Sequence, residues 1–345
     1  MEADKSLRHI GDRISFYRKK NGFSRQYLAE DICDESTLYR IEKYSQLPRL
    51  DILQKFCLKM NIPIDYILTQ KDENIFNYKS KIKKLCRESL YQQDFITLQY
   101  HMEEAILFLK KNKNSEDRSF LRFIGWLEGI LFHKRDHDPK KAEKRFRNLL
   151  QRNKIITEMD INIANSLTLV LIDLDNYEDA LSFLKSAYKV LSESSLIEDK
   201  SLYPRVAYNL AFIYYQLEQN EECINLCYRL EYYLQFNHLI YATGEVNHLL
   251  GLLFIRKNEL ANAQRYFKKA INIFSFEGKS SSTIQSLLGL AEIFFLQDNM
   301  SKVNEYLHKA QEKISVLDDK KLAERLRNKI KHTEEQYAMK AKLEN

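Results

Sequence analysis

Proline and glycine are scarce in this chain of 345 residues. It contains 4 Pro and 8 Gly, whereas average usage would give roughly 17 Pro and about 24 Gly. Hairpins and Gly-rich phosphate-binding loops depend on these residues for their turns, so their scarcity argues against a β-rich or dinucleotide-binding fold. The remaining class is all-α. The length favours two domains, or one domain followed by a repeat array.

The 5 cysteines have no paired spacing, which argues against a disulfide framework and is typical of a reducing compartment. Residues 1–20 alternate charged and apolar side chains and show no apolar core of signal-peptide length. The longest aliphatic stretch, around Leu167–Ile172, is far below the roughly 20 residues that span a bilayer. We therefore expect a cytoplasmic protein that does not enter a membrane. Its net charge of +6 is compatible with a nucleic-acid partner.

Five short amphipathic helices are predicted within residues 1–69. Apolar residues recur at helical spacing through the first helix, and the pattern stops at Gly22, a C-cap signal. Ser24 is placed to N-cap the second helix, and Asp34 to N-cap a third helix over Glu35–Glu42. A fourth and a short fifth helix complete this first domain.

The tight turn between the second and third helices resembles the helix-turn-helix of phage repressors. The matching stretches are S-R-Q-Y-L-A-E at 24–30, S-T-L-Y-R-I-E at 36–42 and L-P-R-L-D-I-L-Q-K-F-C at 47–57. Two positions depart from that family: Arg25 stands where it usually has Gln, and Tyr44 where it usually has Gly. The first departure alters contacts near the start of the second helix. Because of the second departure, a residue other than glycine must adopt the left-handed conformation that ends the third helix, or the helix must end with a different cap.

The third helix is the predicted DNA-reading element, because in this fold the exposed residues at its start face base edges. Ser and Thr hydroxyls bond several bases or phosphates, and Glu accepts from cytosine. Basic side chains nearby would contact phosphates, which position the domain without reading sequence. The candidate DNA-binding residues are Arg25, Glu35, Ser36, Thr37, Tyr39, Arg40 and Lys43. The alternatives are a helix whose polar residues only face water and, for Arg40, an internal ion pair with Glu42.

The small charge of this domain favours binding as a dimer. Residues 1–70 carry 12 Lys and Arg against 10 Asp and Glu, a net charge of +2. A single domain with so little charge should bind DNA weakly, since phosphate contacts supply much of the affinity. We therefore predict a homodimer on double-stranded DNA with a two-part operator.

Residues 81–319 are predicted to form five to six helix pairs, preceded by a linker helix at 70–80 and followed by a capping helix and tail at 320–345. An apolar residue begins the second helix of each pair, at intervals of 38 to 44 residues: Leu98, Ala142, Ala180, Cys223, Ala263 and Val303. Small residues in the first helices let the helices approach closely. The pattern resembles the tetratricopeptide repeat, although its usual period is ~34 residues. Leu249–Ala270 is the best copy.

Three asparagines lie at similar places in the first helices of three consecutive units: Asn165, Asn209 and Asn247. An Asn side chain carries both a donor and an acceptor, so it can bond a peptide backbone whatever the peptide's sequence. These are the candidate peptide-binding residues. The alternative is that they are three solvated side chains in a chain that has many Asn.

Two i,i+4 pairs have the spacing of metal ligands: Cys223 with Cys227, and His133 with His137. No further ligand converges on either pair, and H-K-R-D-H lacks the glutamate of the zinc-protease motif. Both cysteines occupy packing positions of their repeat. We therefore predict no metal site, no cofactor and no catalytic residue, and the sequence shows no motif of an enzyme.

A phage-repressor-type domain joined to long tetratricopeptide-like units resembles the RRNPP family of peptide-pheromone receptors of Gram-positive bacteria, in particular its PlcR-type regulators. The resemblance implies a right-handed α-solenoid with a concave groove, a dimer, and a short signalling peptide that alters dimer geometry and DNA affinity. Asparagines on the first helices of the repeats hold the peptide in that family, and Asn209 within V-A-Y-N-L-A matches best. Two alternatives stay open: a protein-interaction adaptor, and a constitutive phage- or plasmid-type repressor whose repeats only dimerise.

Overall fold

The computed structural model describes residues 2–68, 73–111, 118–150, 154–193, 197, 199–315 and 320–343. All regular secondary structure within these ranges is α-helical, which confirms the predicted class. The chain divides into two compact units, Met1–Glu116 and Asp117–Asn345. None of the described helices combines the length and the apolar character needed to cross a bilayer.

The first unit contains seven of the described helices. These are α1 (Glu2–Lys20), α2 (Arg25–Ala29), α3 (Glu35–Glu42), α4 (Leu50–Met60), α5 (Asp65–Leu68), α6 (Glu73–Tyr91) and α7 (Phe95–Lys111). The predicted linker helix at 70–80 falls partly outside the described residues, and its described part belongs to α6.

The second unit contains α8 (Arg118–Lys134), α9 (Pro139–Leu149), α10 (Glu158–Asp173), α11 (Tyr177–Glu193), α12 (Leu202–Gln216), α13 (Asn220–Phe236), α14 (Thr243–Arg256), α15 (Leu260–Phe276), α16 (Ser280–Leu296), α17 (Met300–Ser315) and α18 (Lys320–Leu343). Consecutive helices from α6 to α17 make up six pairs among the described residues.

Helices α1 to α5 enclose a small apolar core that fixes the orientation of α3. Its fully buried side chains include Ile14, Leu28, Leu38 and Phe56. The predicted cap of α2 is confirmed, because Ser24 Oγ accepts a hydrogen bond from the backbone N–H of Tyr27 at 3.0 Å. Asp34 occupies the N-cap position of α3 in extended backbone, but its side chain makes no capping hydrogen bond.

Tyr44 reaches the left-handed conformation that ends α3 without the aid of glycine. Its φ is 62°, and its N–H donates to the carbonyl of Ile41 at 3.1 Å while that of Ser45 donates to the carbonyl of Arg40 at 2.9 Å. These two bonds make up a Schellman motif. The Tyr44 hydroxyl also donates to the Asp12 carboxylate on α1. This contact ties the unfavourable backbone conformation of Tyr44 to the first helix.

The repeat pattern read from the sequence is confirmed in the packing of the helix pairs. Each predicted starting residue of a second helix, from Leu98 to Val303, is at most 1% exposed. Phe267 on α15 shows why small residues are needed on the facing helices. A Cβ added at Gly251 on α14 would lie 2.9 Å from the Phe267 ring, and one at Gly289 on α16 would lie 2.5 Å from it. One aromatic ring therefore packs against two successive first helices.

The last helix packs on the end of the array. Leu326 and Ile330 of α18 are buried in one cluster with Val303 and Leu307 of α17. The side chain of Leu322 and the last two residues of the tail lie outside the described part of the structure.

Candidate functional sites

The exposed face of α3 carries most of the residues predicted to contact DNA. Tyr39 is 49% exposed, and Leu38 and Ile41, buried on the opposite side, hold the helix against the core. The other exposed candidates on or directly after this helix are Glu35, Ser36, Arg40 and Lys43, and Thr37 is half-buried. The helix therefore presents polar, aromatic and basic groups to solvent on one side.

The last residue of α3, Glu42, is shared by two arginines from other helices. Arg18 on α1 donates to it twice, from Nε to Oε1 at 2.6 Å and from Nη2 to Oε2 at 3.1 Å. Arg25 on α2 donates from Nε to Oε2 at 2.5 Å. The alternative of an internal ion pair between Arg40 and Glu42 is wrong: Arg40 is exposed and Glu42 is buried. Residues two apart on a helix do not face each other, which is the physical reason.

The two arginines keep Glu42 charged. Burial alone would raise the pKa of its carboxyl, but the hydrogen bonds and charges of Arg18 and Arg25 outweigh burial and hold the pKa below its ordinary value. The side chain of Glu42 is 2% exposed and that of Arg18 is 8% exposed. The pair therefore lies inside the domain and joins α1 to α3.

Arg25 belongs to both the core and the exposed surface. Its Nε is bound to Glu42, its side chain is 33% exposed, and its guanidinium carbon lies 5.2 Å from the centre of the Tyr39 ring. The sequence indicated Arg25 as a departure from the phage-repressor pattern but not its partners. They lie 17 residues away at Glu42 and in the next helix at Tyr39, separations that no periodic pattern encodes.

In the second unit, the structure brings together two of the three predicted asparagines. Asn209 Nδ2 on α12 donates to Asn165 Oδ1 on α10 at 2.8 Å. Asn247 does not join them: it is 2% exposed, and its Nδ2 donates to the carbonyl of Thr243 in its own helix at 2.7 Å. Asn247 Oδ1 is buried and accepts no hydrogen bond from any described residue.

No two of the three asparagines lie in the same register relative to the helix that follows. Asn165, Asn209 and Asn247 lie 15, 14 and 16 residues before the buried residue that starts the following helix. One residue rotates a side chain by about 100° around a helix. A similar place in the sequence is therefore not the same place on the helix surface, and the spacing alone did not distinguish the three.

Further polar contacts between successive first helices were not predicted. Trp126 Nε1 on α8 donates to Ser166 Oγ on α10 at 2.8 Å. His248 Nδ1 on α14 lies 2.9 Å from Ser286 Oγ on α16. The only sequence signal for them is a polar side chain within a mostly apolar helix, which does not specify its partner. Together with the asparagine pair, they show that the first helices are linked through polar groups.

The two candidate metal pairs have other partners. Cys223 and Cys227 are fully buried, and Cys223 Sγ donates to the carbonyl of Ala211 at 3.0 Å. The neighbouring Cys223 and burial raise the pKa of the Cys227 thiol. His133 Nε2 lies 2.7 Å from Asp173 Oδ2. Within the described ranges, no group of three or more His, Cys, Asp or Glu side chains is arranged to hold a metal ion.

Two sequence profiles match the chain. The helix-turn-helix profile covers residues 14–67, and a tetratricopeptide-repeat profile covers residues 244–275. These ranges coincide with the domain that carries α3 and with the α14/α15 pair. No curated protein sequence matches the chain.

Three solved structures have a fold similar to that of this chain. PlcR of Bacillus thuringiensis, solved with the peptide PapR7 and DNA, has a TM-score of 0.65 and 19% identity over 79% of this chain and 96% of that chain. ComR from S. thermophilus, solved with DNA and its signalling peptide ComS, has a TM-score of 0.58 and 18% identity over 82% of this chain and 99% of that chain. Rgg2, an SHP pheromone receptor of Streptococcus dysgalactiae, has a TM-score of 0.50 and 14% identity over 80% of this chain and 97% of that chain.

The chain is thus a helix-turn-helix protein with tetratricopeptide-like helix pairs. Its fold is the fold of the PlcR, ComR and Rgg2 regulators, so the resemblance read from the sequence is confirmed at the level of the fold. Fold does not by itself imply function.

Proposed function

We propose that this protein is a DNA-binding transcription regulator whose repeat helices bind a short signalling peptide that changes its affinity for DNA. The observation that carries the proposal is the exposed polar face of α3 on a helix-turn-helix core, in one chain with repeat helices joined by the Asn165–Asn209 hydrogen bond. Two proteins that share this fold were solved with DNA and a peptide: PlcR with the peptide PapR7, and ComR with its signalling peptide ComS. The proposal requires no catalytic step.

On the DNA side, α3 is the reading helix. Ser36, Tyr39 and Arg40 lie on its exposed face and are the groups proposed to contact base edges in the major groove. Lys43 follows the helix and is proposed to contact a phosphate. Because the net charge of this domain is small, two copies of the chain bind a two-part operator. The partner is DNA inside the cell, so the protein acts in the cytoplasm.

On the peptide side, Asn165 and Asn209 are proposed to hold the backbone of the peptide. Their mutual hydrogen bond uses the acceptor of Asn165 and one donor of Asn209, so Asn209 keeps its own acceptor and Asn165 its own donors. A peptide backbone offers the matching donor and acceptor groups. The peptide shifts the population of repeat conformations by its differential affinity for them, and this changes the placement of the two α3 helices in a dimer.

Replacing Asn209 with alanine is expected to weaken peptide binding by about tenfold or more, because the variant loses the hydrogen bonds to the peptide and leaves Asn165 without its partner. The single tryptophan of the chain provides the readout: Trp126 donates to Ser166, the residue next to Asn165. Its fluorescence is titrated with the small-peptide fraction of spent medium from the source organism. DNA binding without the peptide should not change.

The matched control is Asn304→Ala, which removes an exposed asparagine from α17. It should respond to the peptide fraction like the unaltered protein. An equal response of all three proteins would contradict the role of the asparagine pair. Absence of any response in the unaltered protein, in fluorescence and in DNA binding, would instead favour the adaptor or the constitutive repressor.

A further inference from the structure

The buried carboxylate of Glu42 leaves one charge of the cluster uncompensated at the surface. It accepts from both Arg18 and Arg25, so two guanidinium groups share one carboxylate. Arg18 is enclosed, since its Nη1 also donates to the carbonyl of Phe23 at 2.8 Å. Arg25 is the partly exposed member of the cluster. The excess positive charge therefore lies where Arg25 meets solvent.

The guanidinium of Arg25 is held in place on two sides. Glu42 Oε2 accepts from its Nε at 2.5 Å, and its guanidinium carbon lies over the Tyr39 ring, 5.2 Å from the ring centre. Its two terminal nitrogens donate to no atom within the part of the chain that the structure describes. A guanidinium fixed through Nε presents these terminal N–H groups as a fork, the geometry that matches a phosphate.

The position of Arg25 favours the DNA backbone over the bases. Arg25 is the first residue of α2, the first helix of the helix-turn-helix, and in such proteins this helix crosses the phosphate backbone while the next one enters the groove. Because Nε is bound to a carboxylate inside the domain, the side chain cannot extend along α3 towards base edges. Ser36 and Arg40 of α3 are free to do so.

We propose that Arg25 is a preoriented phosphate anchor of the DNA complex and that Glu42 is its positioning residue. This inference rests on the proposed function, and it adds one charged backbone contact per protomer at a position where the phage-repressor pattern has an uncharged glutamine. Phosphate contacts of this kind raise affinity for all sequences alike and make binding salt-dependent. Sequence preference remains with α3.

The test compares salt dependence of DNA binding among full-length variants. Fluorescence anisotropy measures the affinity for two labelled duplexes, one enriched from a random pool by the unaltered protein and one unenriched, across a series of salt concentrations. Arg25→Gln should weaken binding to both duplexes by about tenfold, and the slope of log K against log salt should fall by about one per protomer. Arg25→Lys, which keeps the charge, should retain the slope.

The control is Lys331→Gln, which removes one charge from an exposed side chain of α18 and should leave the slope unchanged. Arg25→Gln retains the Arg18–Glu42 pair, so its helical content and melting temperature should stay close to those of the unaltered protein. Glu42→Asp tests the positioning role. This variant keeps the charge but has a side chain one methylene shorter, so its affinity for both duplexes should fall while the slope of log K against log salt stays the same.

Three outcomes would overturn the inference. An unchanged slope in Arg25→Gln means that Arg25 contacts no phosphate. A loss confined to the enriched duplex means that Arg25 reads a base. Failure of the unaltered protein to enrich or bind any duplex removes the proposed function itself, a result that is distinct from the first two.

Discussion

Glutamine in place of Glu42 is expected to lower the free energy of unfolding of the helix-turn-helix core by about 3 kcal/mol. The substitution keeps the shape of the side chain but leaves Arg18, 8% exposed, without a counter-ion inside the domain. Removing one partner of a buried ion pair costs more than the pair contributes, since the remaining charge stays desolvated. Helices α1, α2 and α3 then share only their apolar core and no longer the ion-pair cluster at Glu42.

Hydrogen exchange measured by mass spectrometry on the full chain reports this change for α1 to α5 separately from the repeats. The protection factors of amides in the core should fall by roughly 100-fold, which corresponds to the loss of about 3 kcal/mol in the free energy of unfolding. The matched control is Glu35→Gln at the exposed start of the same helix, which should cost less than about 1 kcal/mol. Equal protection in both variants would show that the Glu42 cluster does not hold the domain together.

The buried ion pair between Glu42 and Arg18 should make the stability of the helix-turn-helix core depend on pH. Because the folded pKa of Glu42 is below its ordinary value, its contribution is fully present above the unfolded pKa of about 4.3. It is lost as the pH falls through the lower folded value. Calorimetric melting temperatures of the first unit should therefore decline more steeply below about pH 4.3 in the unaltered protein than in Glu42→Gln. Parallel pH profiles would contradict this.

Alanine in place of Phe267 is expected to cost about 4 kcal/mol in the repeat array. The ring is fully buried and packs against Gly251 and Gly289 on two successive first helices. Its removal leaves a cavity at a point where no side chain from either glycine can fill the space. The α14/α15 pair loses the ring that packs against Gly289 of α16, and stability in repeat proteins depends on such contacts between neighbours.

Phe276→Ala provides a matched control on the same helix, because that ring is 83% exposed. Urea unfolding followed by far-UV circular dichroism should show an early transition in Phe267→Ala only, and Phe276→Ala should stay within about 0.5 kcal/mol of the unaltered protein. Equal transitions in the two variants would mean that Phe267 is not a core residue of the array.

The repeats were predictable from the sequence because their contacts are periodic. The buried starts of the second helices recur at nearly constant intervals, and small residues recur opposite them, so spacing alone located the helix pairs. The helix-turn-helix was predictable for a related reason: its caps and apolar positions occur together over a short stretch. Both features depend on local spacing along the chain.

The polar contacts were less predictable because they depend on geometry that spacing does not fix. Glu42 binds Arg18 across 24 residues and Arg25 across 17, and neither separation follows a period. Asn247 shares the spacing of the other asparagines to within a residue or two, yet it bonds to its own helix. Tyr44 adopts a conformation typical of glycine, supported by Asp12 on another helix. The partners of such residues can be identified only from the three-dimensional structure.

The most direct test of the account is the affinity of the full-length protein for DNA from the gene's own upstream region, measured by fluorescence anisotropy at fixed salt. The titration is made with and without the small-peptide fraction of spent medium. A peptide-gated regulator should change its affinity when the fraction is added, and Asn209→Ala should abolish that change while Asn304→Ala should not. Tight binding that is indifferent to the fraction would contradict peptide gating and favour a constitutive repressor or an adaptor.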